Sequence, residues 1–286
     1  MLFDNTGPRY LPHIDHPEVL LMGLKPLGRQ RWIETDNSIA AYHAHKWQQR
    51  SSRGEDVYRA GEASLPAQRE LHAALLSYLT EGQPENYRIA GDQLECIPGQ
   101  FSVPLVSDEL LWNCSLWVAD DLVLMEPVDG SYRLTAASLC SPSHWRLREK
   151  FNRSMRTIHD PIPGFHQELS PKIDRFFEHL KPEHPVVRFN WAIQADDALA
   201  QLPETEPPVS AETALFYRAE RQSLLRLPTT GAIAFTIRVY LHPLEALHQH
   251  DGAMSALLAA VDATPPPLKR YKGFDRLEPA LARYRD

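Results

Sequence analysis

The chain has 286 residues, of which 43% are hydrophobic and 23% are charged, and its formal net charge is -7. This length allows one large domain or two small ones with a packed core, and the composition is that of an ordinary globular protein. The negative charge argues against general nucleic-acid binding, no apolar run is long enough to cross a membrane, and the first ten residues lack a signal-peptide pattern. We therefore expect a cytoplasmic protein.

Cysteine and glycine usage excludes several classes of redox protein. The three cysteines, Cys96, Cys114 and Cys140, are far apart, and no C-x-x-C pair is present. A zinc ribbon or a ferredoxin-type cluster therefore cannot be built from this chain alone. No glycine-rich nucleotide-binding motif occurs either. If the chemistry needs electrons, another polypeptide must supply them.

Two pairs of histidines occur in the first fifty residues. His13 and His16 lie among prolines, which indicates a surface loop in an extended arm over residues 1–30. His43 and His45 are two residues apart, a spacing that suits one face of a strand, but no other candidate ligand converges on them. We expect neither pair to hold a metal ion.

The remaining pattern is mixed. Leu65 to Leu79 has a leucine stripe at helical spacing, and a second helix begins at Ser170. Short strands are expected at LLWNCSLWV (110–118), LVLME (122–126), SYRLTAASLC (131–140), VVRFNWAI (186–193), residues 214–227 and GAIAFTIRVY (231–240). Asp129-Gly130 is a strong hairpin signal. These elements predict an α+β fold with an antiparallel sheet of about five strands and helices packed on it.

The segment from Leu139 to Phe165 is the most distinctive part of the chain. Ser141 and Pro142 suit the start of a helix that would continue to Ile158 with an apolar stripe and many basic residues. Pro161 then ends the helix, which leaves His159 in a stiff loop. Such a histidine could ligate haem iron or another metal, or could simply interact with the free carbonyls at the helix end. On the residues alone, the second interpretation is the more common one.

Three of the predicted strands carry polar side chains on one face. By the period of two, the shared faces hold Arg188 and Asn190; Arg218, Glu220, Gln222 and Arg226; and Thr236 and Arg238. An ordinary solvated sheet face would give the same pattern. The pattern alone therefore leaves a buried polar site and a solvated surface both open.

Four segments carry a family resemblance. They are CSPSHW (140–145), IHDPIPGF (158–165), RFNW (188–191) and RAERQSLLRLPTTGAIAFTIRVY (218–240). With them the chain resembles the haem-dependent oxidative N-demethylase family, the haem subunit of dimethylamine-monooxygenase-like enzymes. The ERQ-x-L-x-RLP block is the most specific part. The resemblance covers roughly the central half of the chain and is loose over the first ninety residues.

The resemblance implies a particular fold and reaction. The fold would be a PAS-like antiparallel sheet clasping haem b over residues 101–250, with a mainly helical region (1–100) packed on it and a helical tail (251–286). The reaction would be N-demethylation of a small secondary amine, such as dimethylamine, by O2 to formaldehyde and the shorter amine. Electrons would come from a separate NAD(P)H-dependent reductase that carries FMN and a [2Fe-2S] cluster. The alternative is a haem or small-ligand sensor with the same PAS-like fold and no turnover.

The resemblance also implies roles for individual residues. His159 would be the axial ligand of the iron, with Cys140 as the rival ligand. Glu220 and Arg226 are candidates for substrate contact and oxygen activation. The haem propionates would be paired by Arg218, Arg221 and Arg238. The haem would also be contacted by Trp145, an aromatic side chain of the matched segment. Which arginine has which role is left open by the sequence.

Overall fold

The computed structural model describes residues 7–28, 31–168 and 170–285. Its helices are α1 (Pro12–Asp15), α2 (Ile39–Arg53), α3 (Leu65–Gly82), α4 (Leu110–Ser115), α5 (Leu147–Lys150), α6 (Met155–Ile158), α7 (Phe165–Glu168), α8 (Ser170–His179), α9 (Ala253–Ala263), α10 (Pro266–Tyr271) and α11 (Phe274–Leu281). Its strands are β1 (Lys25–Pro26), β2 (Tyr58–Ala60), β3 (Tyr87–Ala90), β4 (Gln93–Cys96), β5 (Phe101–Pro104), β6 (Asp121–Val128), β7 (Ser131–Ser138), β8 (Val186–Gln194), β9 (Phe216–Arg226) and β10 (Ile233–Pro243). Within these ranges no helix is long and apolar enough to span a membrane.

The main sheet is antiparallel, with the strand order β1-β8-β9-β10-β6-β7-β2. Its long strands, β6 to β10, confirm the expected α+β class, and the two edge strands are short. The β6–β7 hairpin turns at Asp129-Gly130, where both residues have positive φ (49° and 76°), as a tight hairpin turn requires. A second antiparallel sheet, β3-β4-β5, lies in the N-terminal part of the chain.

The two faces of the main sheet bury different sets of side chains. Leu122 and Leu124 of β6 pack into a core that includes the leucine stripe of α3. Val123 and Met125, the alternate residues of the same strand, belong to a second core, which includes Phe177 of α8. Burial of each such side chain contributes about 1.5–3 kcal/mol to folding. The sheet is therefore the middle layer, and its α8 side carries the cavity described below.

Residues from both ends of the chain join this central sheet. β2 pairs with β7, and β1 pairs with β8, so the first hundred residues contribute both edge strands. At the other end, α9 and α11 share a hydrophobic core with Trp191 of β8 and Tyr217 of β9. The domain boundaries near residues 100 and 250 stay predictions.

One predicted strand is helical in the structure. LLWNCS forms α4, all six residues of which are buried. A short run buried on every side has no alternation that could distinguish a strand from a helix. His43 and His45 lie on α2 rather than on a strand face. His43 Nδ1 lies near the backbone carbonyl of Leu116, and His45 Nε2 lies near that of Cys140.

The prediction of a single basic helix from Ser141 to Ile158 is also wrong. The structure has two one-turn helices, α5 and α6, and both His144 and Asn152 have positive φ (60° and 57°). Asn152 and Arg153 exchange backbone hydrogen bonds with Leu134 of β7, so pairing with the sheet interrupts the helix. Ser154 then caps α6 by accepting from the backbone N–H of Thr157. His159 follows the end of α6, as the sequence predicted.

Candidate functional site

A cavity of about 350 Å³ lies on the α8 side of the sheet. Its wall comes from β6 to β10, from the segment between β7 and α8, from residues 19–24, and from the region that joins α10 to α11. This volume is within the range of small-molecule sites, which are mostly apolar with a few polar groups. The wall has that character. One part is apolar, and the other part, the polar end, is formed by Arg188, Asn190, Arg218, Glu220, Gln222 and Lys272.

Apolar side chains from the sheet and from the short helices face each other across the cavity. The sheet contributes Val123, Met125, Leu134, Leu139, Leu224, Phe235 and Ile237, and the opposite wall contributes Met155, Ile158, Ile162, Phe165, Ile173, Phe176 and Phe177. Trp145, expected from the sequence to contact a cofactor, also lines the cavity. Such a wall suits a large apolar ligand and excludes water from it.

His159 lies in this apolar wall in an arrangement suited to metal ligation. Its Nδ1 lies 2.9 Å from the carbonyl oxygen of Met155, and its ring stacks on Phe165 with centroids 4.3 Å apart. Because a carbonyl can only accept, Nδ1 carries the proton and Nε2 keeps its lone pair. No partner for Nε2 is present within the described ranges, and burial lowers the pKa of His159 to about 4. The imidazole is therefore neutral at pH 7, as a metal ligand must be.

Glu220 lies at the polar end, on the cavity face of β9. Its carboxylate accepts hydrogen bonds from Arg218 Nε at 2.8 Å, Gln222 Nε2 at 3.0 Å and Asn190 Nδ2 at 3.4 Å. Burial raises the pKa of Glu220, but the adjacent Arg218 guanidinium and these hydrogen bonds outweigh it and hold the pKa below its ordinary value. Glu220 is thus a buried, charged carboxylate at neutral pH.

Arg218 is a structural partner of Glu220. Its side chain is only 1% exposed, and besides Glu220 it donates to the carbonyls of Leu199 and Ser141, both at 2.7 Å. Arg218 therefore lines the cavity with its guanidinium already bonded at Nε and at both terminal nitrogens. Its predicted role at a haem propionate would require some of these bonds to be given up.

Arg221 and Arg238 lie on the opposite face of the sheet and do not line the cavity. They are directly paired across β9 and β10, and paired residues point to the same side. Arg221 donates to the carbonyls of Trp32 and Arg31, whereas Arg238 donates to the carbonyl of Glu34 and to Asp36 Oδ2 at 2.6 Å. Both fasten the N-terminal segment to the sheet. Their expected role at the propionates does not fit this placement.

Arg226 shares the cavity side of β9 with Glu220 but lies beyond the cavity wall. Its Nη1 donates to the carbonyl of Phe177 at 2.9 Å and to the hydroxyl of Tyr132 at 3.2 Å, which ties α8 to the hairpin. Substrate contact by Arg226 does not fit this placement either.

Cys140, the rival iron ligand, is fully buried in the core on the other side of the sheet. Burial, followed by the nearby carboxylate of Asp121, raises the pKa of Cys140 to about 12. The thiolate needed for ligation is therefore disfavoured. The structure thus favours His159 over Cys140 as the ligand.

Two cationic residues at the polar end of the cavity, Arg188 and Lys272, were not predicted as site residues. Lys272 reaches the polar end from the C-terminal region, where its Nζ donates to Asn190 Oδ1 and to the carbonyl of Trp191, both at 3.2 Å. Arg188 had been placed on a polar strand face but given no role, and it lines the cavity beside Asn190. The strand alternation was the available signal for Arg188. No local signal marks Lys272, because its partners lie about eighty residues away in the chain.

A family model described as haem-dependent oxidative N-demethylase, alpha subunit-like, matches residues 23–282 of the chain. The match includes β6 to β10, the His159 loop and Lys272, so it spans the whole cavity wall except Val19, Leu20 and Met22.

Proposed function

Because the chain belongs to the haem-dependent oxidative N-demethylase, alpha subunit-like family, we propose that it binds haem b in this cavity and N-demethylates a small secondary amine such as dimethylamine. The observation that carries the proposal is His159: a neutral imidazole in an apolar cavity wall, whose Nε2 has no partner among the described residues. The family match supports the haem, and the Glu220 carboxylate at the polar end supports the amine.

The residues of the cavity fit haem. His159 would hold the iron, and its hydrogen bond to the Met155 carbonyl fixes the ring and makes Nε2 a better ligand. The apolar side chains of the sheet and of α6 and α8 would cover the macrocycle, and the sheet would clasp it in the PAS-like manner expected from the sequence. The haem, when bound, supplies the activation of O2 that oxidises the N-methyl group.

Glu220 is the group that would orient the substrate. A secondary amine is a cation near neutral pH, and a charged carboxylate can accept its N–H as a strong hydrogen bond. Arg218, Asn190 and Gln222 hold the Glu220 carboxylate in a fixed position before substrate arrives. Such preorganisation lowers the entropy cost of placing the methyl group for reaction. The products would be formaldehyde and the shorter amine.

The electrons would come from a separate NAD(P)H-dependent reductase with FMN and a [2Fe-2S] cluster. The sequence lacks cysteine pairs and glycine-rich nucleotide motifs, which supports a partner protein for this step. Under this proposal the purified chain does not oxidise NAD(P)H by itself.

Haem titration of the apoprotein tests the ligand. Wild type should develop a strong Soret band, and His159→Ala should lose or greatly shift it while circular dichroism stays unchanged. His166→Ala is the matched control, since His166 lies in α7 directly after the His159 loop, pairs with Asp160 at 2.6 Å and does not line the cavity. An unchanged Soret band in His159→Ala would refute the ligand assignment.

Turnover separates the enzyme from the sensor alternative. The haem-loaded protein is supplied with O2, an artificial electron donor and dimethylamine, and formaldehyde is measured. We expect formaldehyde in proportion to amine consumed. A haem protein that binds the amine and releases no formaldehyde would instead be the non-catalytic sensor.

A further inference from the structure

The polar end of the cavity carries more positive than negative charge. Among the described residues that line the cavity, the charged side chains are Arg188, Arg218, Lys272 and Glu220 at the polar end and Glu149 and Lys150 on α5, whose charges offset one another. Glu220 and Arg218 form an ion pair at 2.8 Å and offset one another. His144 also lines this region, but it faces Glu206 at 3.0 Å. Two half-buried cations, Arg188 and Lys272, therefore share one carboxylate that already has a closer partner.

Arg188 has unused hydrogen-bonding capacity. Within the described part of the chain its guanidinium has one acceptor, the carbonyl of Leu21 at 3.0 Å, and its buried Nε has none. Buried guanidinium groups usually satisfy their donors, most often with carboxylates. Burial lowers the pKa of Arg188, which shows that its surroundings do not fully offset its charge.

Lys272 is similarly short of negative charge. Among the described residues its two acceptors, the Asn190 side chain and the Trp191 carbonyl, are neutral, so one ammonium N–H has no partner there. Burial is the main reason that the pKa of Lys272 is lowered to about 8; the Glu220 charge raises this pKa, whereas the Arg188 and Arg218 charges lower it further. A bound anion would accept a hydrogen bond from the ammonium group and would offset the neighbouring positive charges.

The backbone places these two cations together. Arg188 and Asn190 lie two residues apart on the cavity face of β8, a separation of about 7 Å along a strand. Because Lys272 is hydrogen-bonded to Asn190, its ammonium lies beside Arg188. Guanidinium and ammonium groups at this spacing suit the oxygens of carboxylates.

We propose that Arg188 and Lys272 form a carboxylate-binding site at the polar end of the cavity. The carboxylate comes either from a propionate of the haem or from an N-methylated amino acid used as substrate. The site rests on the proposed haem function and assigns the propionate role to residues other than those that the sequence suggested.

Comparing haem with its dimethyl ester tests the propionate source. The ester has the same macrocycle and iron but no negative charge, so only the carboxylate contacts differ. Wild-type apoprotein should bind haem at least about tenfold more tightly than the ester, since a charge-assisted hydrogen bond is lost. In Lys272→Met the affinity for haem should fall to that for the ester, and the affinity for the ester should not change.

Two control variants and a substitution of the second cation complete this comparison. Lys269→Met removes the same charge from a neighbouring position that does not line the cavity, and it should behave as wild type. Lys272→Arg keeps the charge and should keep the preference for haem over the ester. Arg188→Met should reduce that preference in the same way as Lys272→Met.

The substrate source is tested on the haem-loaded protein. N-methylglycine and dimethylamine are titrated while the haem spectrum is recorded. If the substrate supplies the carboxylate, Lys272→Met weakens N-methylglycine binding at least about tenfold and leaves dimethylamine binding unchanged, while haem and its ester bind equally well to wild type.

The outcomes distinguish the two proposals. If wild type binds neither haem nor the ester, the proposed function fails, and the carboxylate site fails with it. If both porphyrins bind equally well to wild type and to Lys272→Met, and N-methylglycine binding does not depend on Lys272, the carboxylate site alone is refuted.

Discussion

The residue that links the sheet to the proposed chemistry is Glu220. Its neighbours Arg218, Asn190 and Gln222 all donate to it, so its charge and position are fixed in the folded chain. On a solvated sheet face, which the sequence also allowed, its charge would contribute little. The side chain is instead only 7% exposed and faces the cavity.

Glu220→Gln should leave haem binding intact and weaken amine binding or turnover at least about tenfold, because the carboxylate partner of the ammonium is lost. The change also deprives buried Arg218 of its counter-ion, so we expect a lower melting temperature. Amine titration through the haem spectrum and formaldehyde yield are measured at a temperature where both proteins are folded. Glu149→Gln, an exposed residue of the cavity wall, is the control and should match wild type.

At the level of elements, β9 and β10 show how one pair of strands serves two purposes. Glu220 of β9 faces the cavity, whereas Arg221 and Arg238 face the N-terminal segment. There Arg238 is bonded to the Glu34 carbonyl, Asp36 and Ser38, and it lies over the rings of Tyr42 and Tyr240 at 5.2 and 4.8 Å. This face is a buried ionic network that holds the N-terminal segment on the sheet.

Arg238→Met should lower the free energy of unfolding by about 1–3 kcal/mol, because the Asp36 carboxylate, which is 35% exposed, and the Glu34 carbonyl lose their main partner. Haem affinity should not change under conditions where the variant is folded, since Arg238 lies on the face away from the cavity. Urea unfolding and haem titration give the two measurements, and Arg270→Met, an exposed arginine, should leave both unchanged. A specific loss of haem affinity without loss of stability would return Arg238 to the propionate role.

Three of the basic residues between β7 and α8 make contacts with other parts of the chain. Arg146 pairs with Glu204 at 2.6 Å, Arg148 lies 3.5 Å from Asp56, and Lys150 donates to the Ile158 carbonyl at 2.7 Å. Their main effect is to fix the two one-turn helices that precede His159. The sequence pattern alone could not show this, since the acidic partners come from other parts of the chain.

For the whole molecule, buried neutral histidines couple folding to pH. Burial lowers the pKa values of His45 and His159 to about 4, below the value of 6.5 expected in the unfolded chain. Between these two pH values the unfolded chain binds protons that the folded chain does not. The free energy of unfolding of the apoprotein should therefore fall as the pH is lowered from about 6.5 to about 4.

Urea unfolding of the apoprotein at pH 7 and pH 5 measures this dependence. His159→Gln lacks one of these titrations, so its stability should change less between these pH values than that of wild type. His166→Gln removes a histidine of α7 that pairs with Asp160, and it serves as the control. Equal slopes for wild type and His159→Gln would mean that His159 is not buried in its neutral form.

The sequence by itself determined the long strands, the hairpin, the position of His159 and the family, because the signals for these features are local. Period-two alternation located most of β6 to β10, Asp129-Gly130 marked the hairpin, and Pro161 placed His159 after a helix end. The four matching segments identified the family, and the family model confirmed it over residues 23–282. The choice of His159 over Cys140 stays a prediction; His159 lines the cavity, whereas Cys140 lies in the core on the other side of the sheet.

Tertiary structure decided which of these patterns meet at the cavity. Alternation shows that Arg221 and Glu220 point to opposite sides, but only the packing of the N-terminal segment and of α8 determines which side is the cavity. The helix expected from Ser141 was broken by pairing with β7, and Lys272 reached Asn190 across about eighty residues. Local sequence cannot encode these outcomes, because the free energy that selects them comes from contacts between distant segments that exist only in the folded chain.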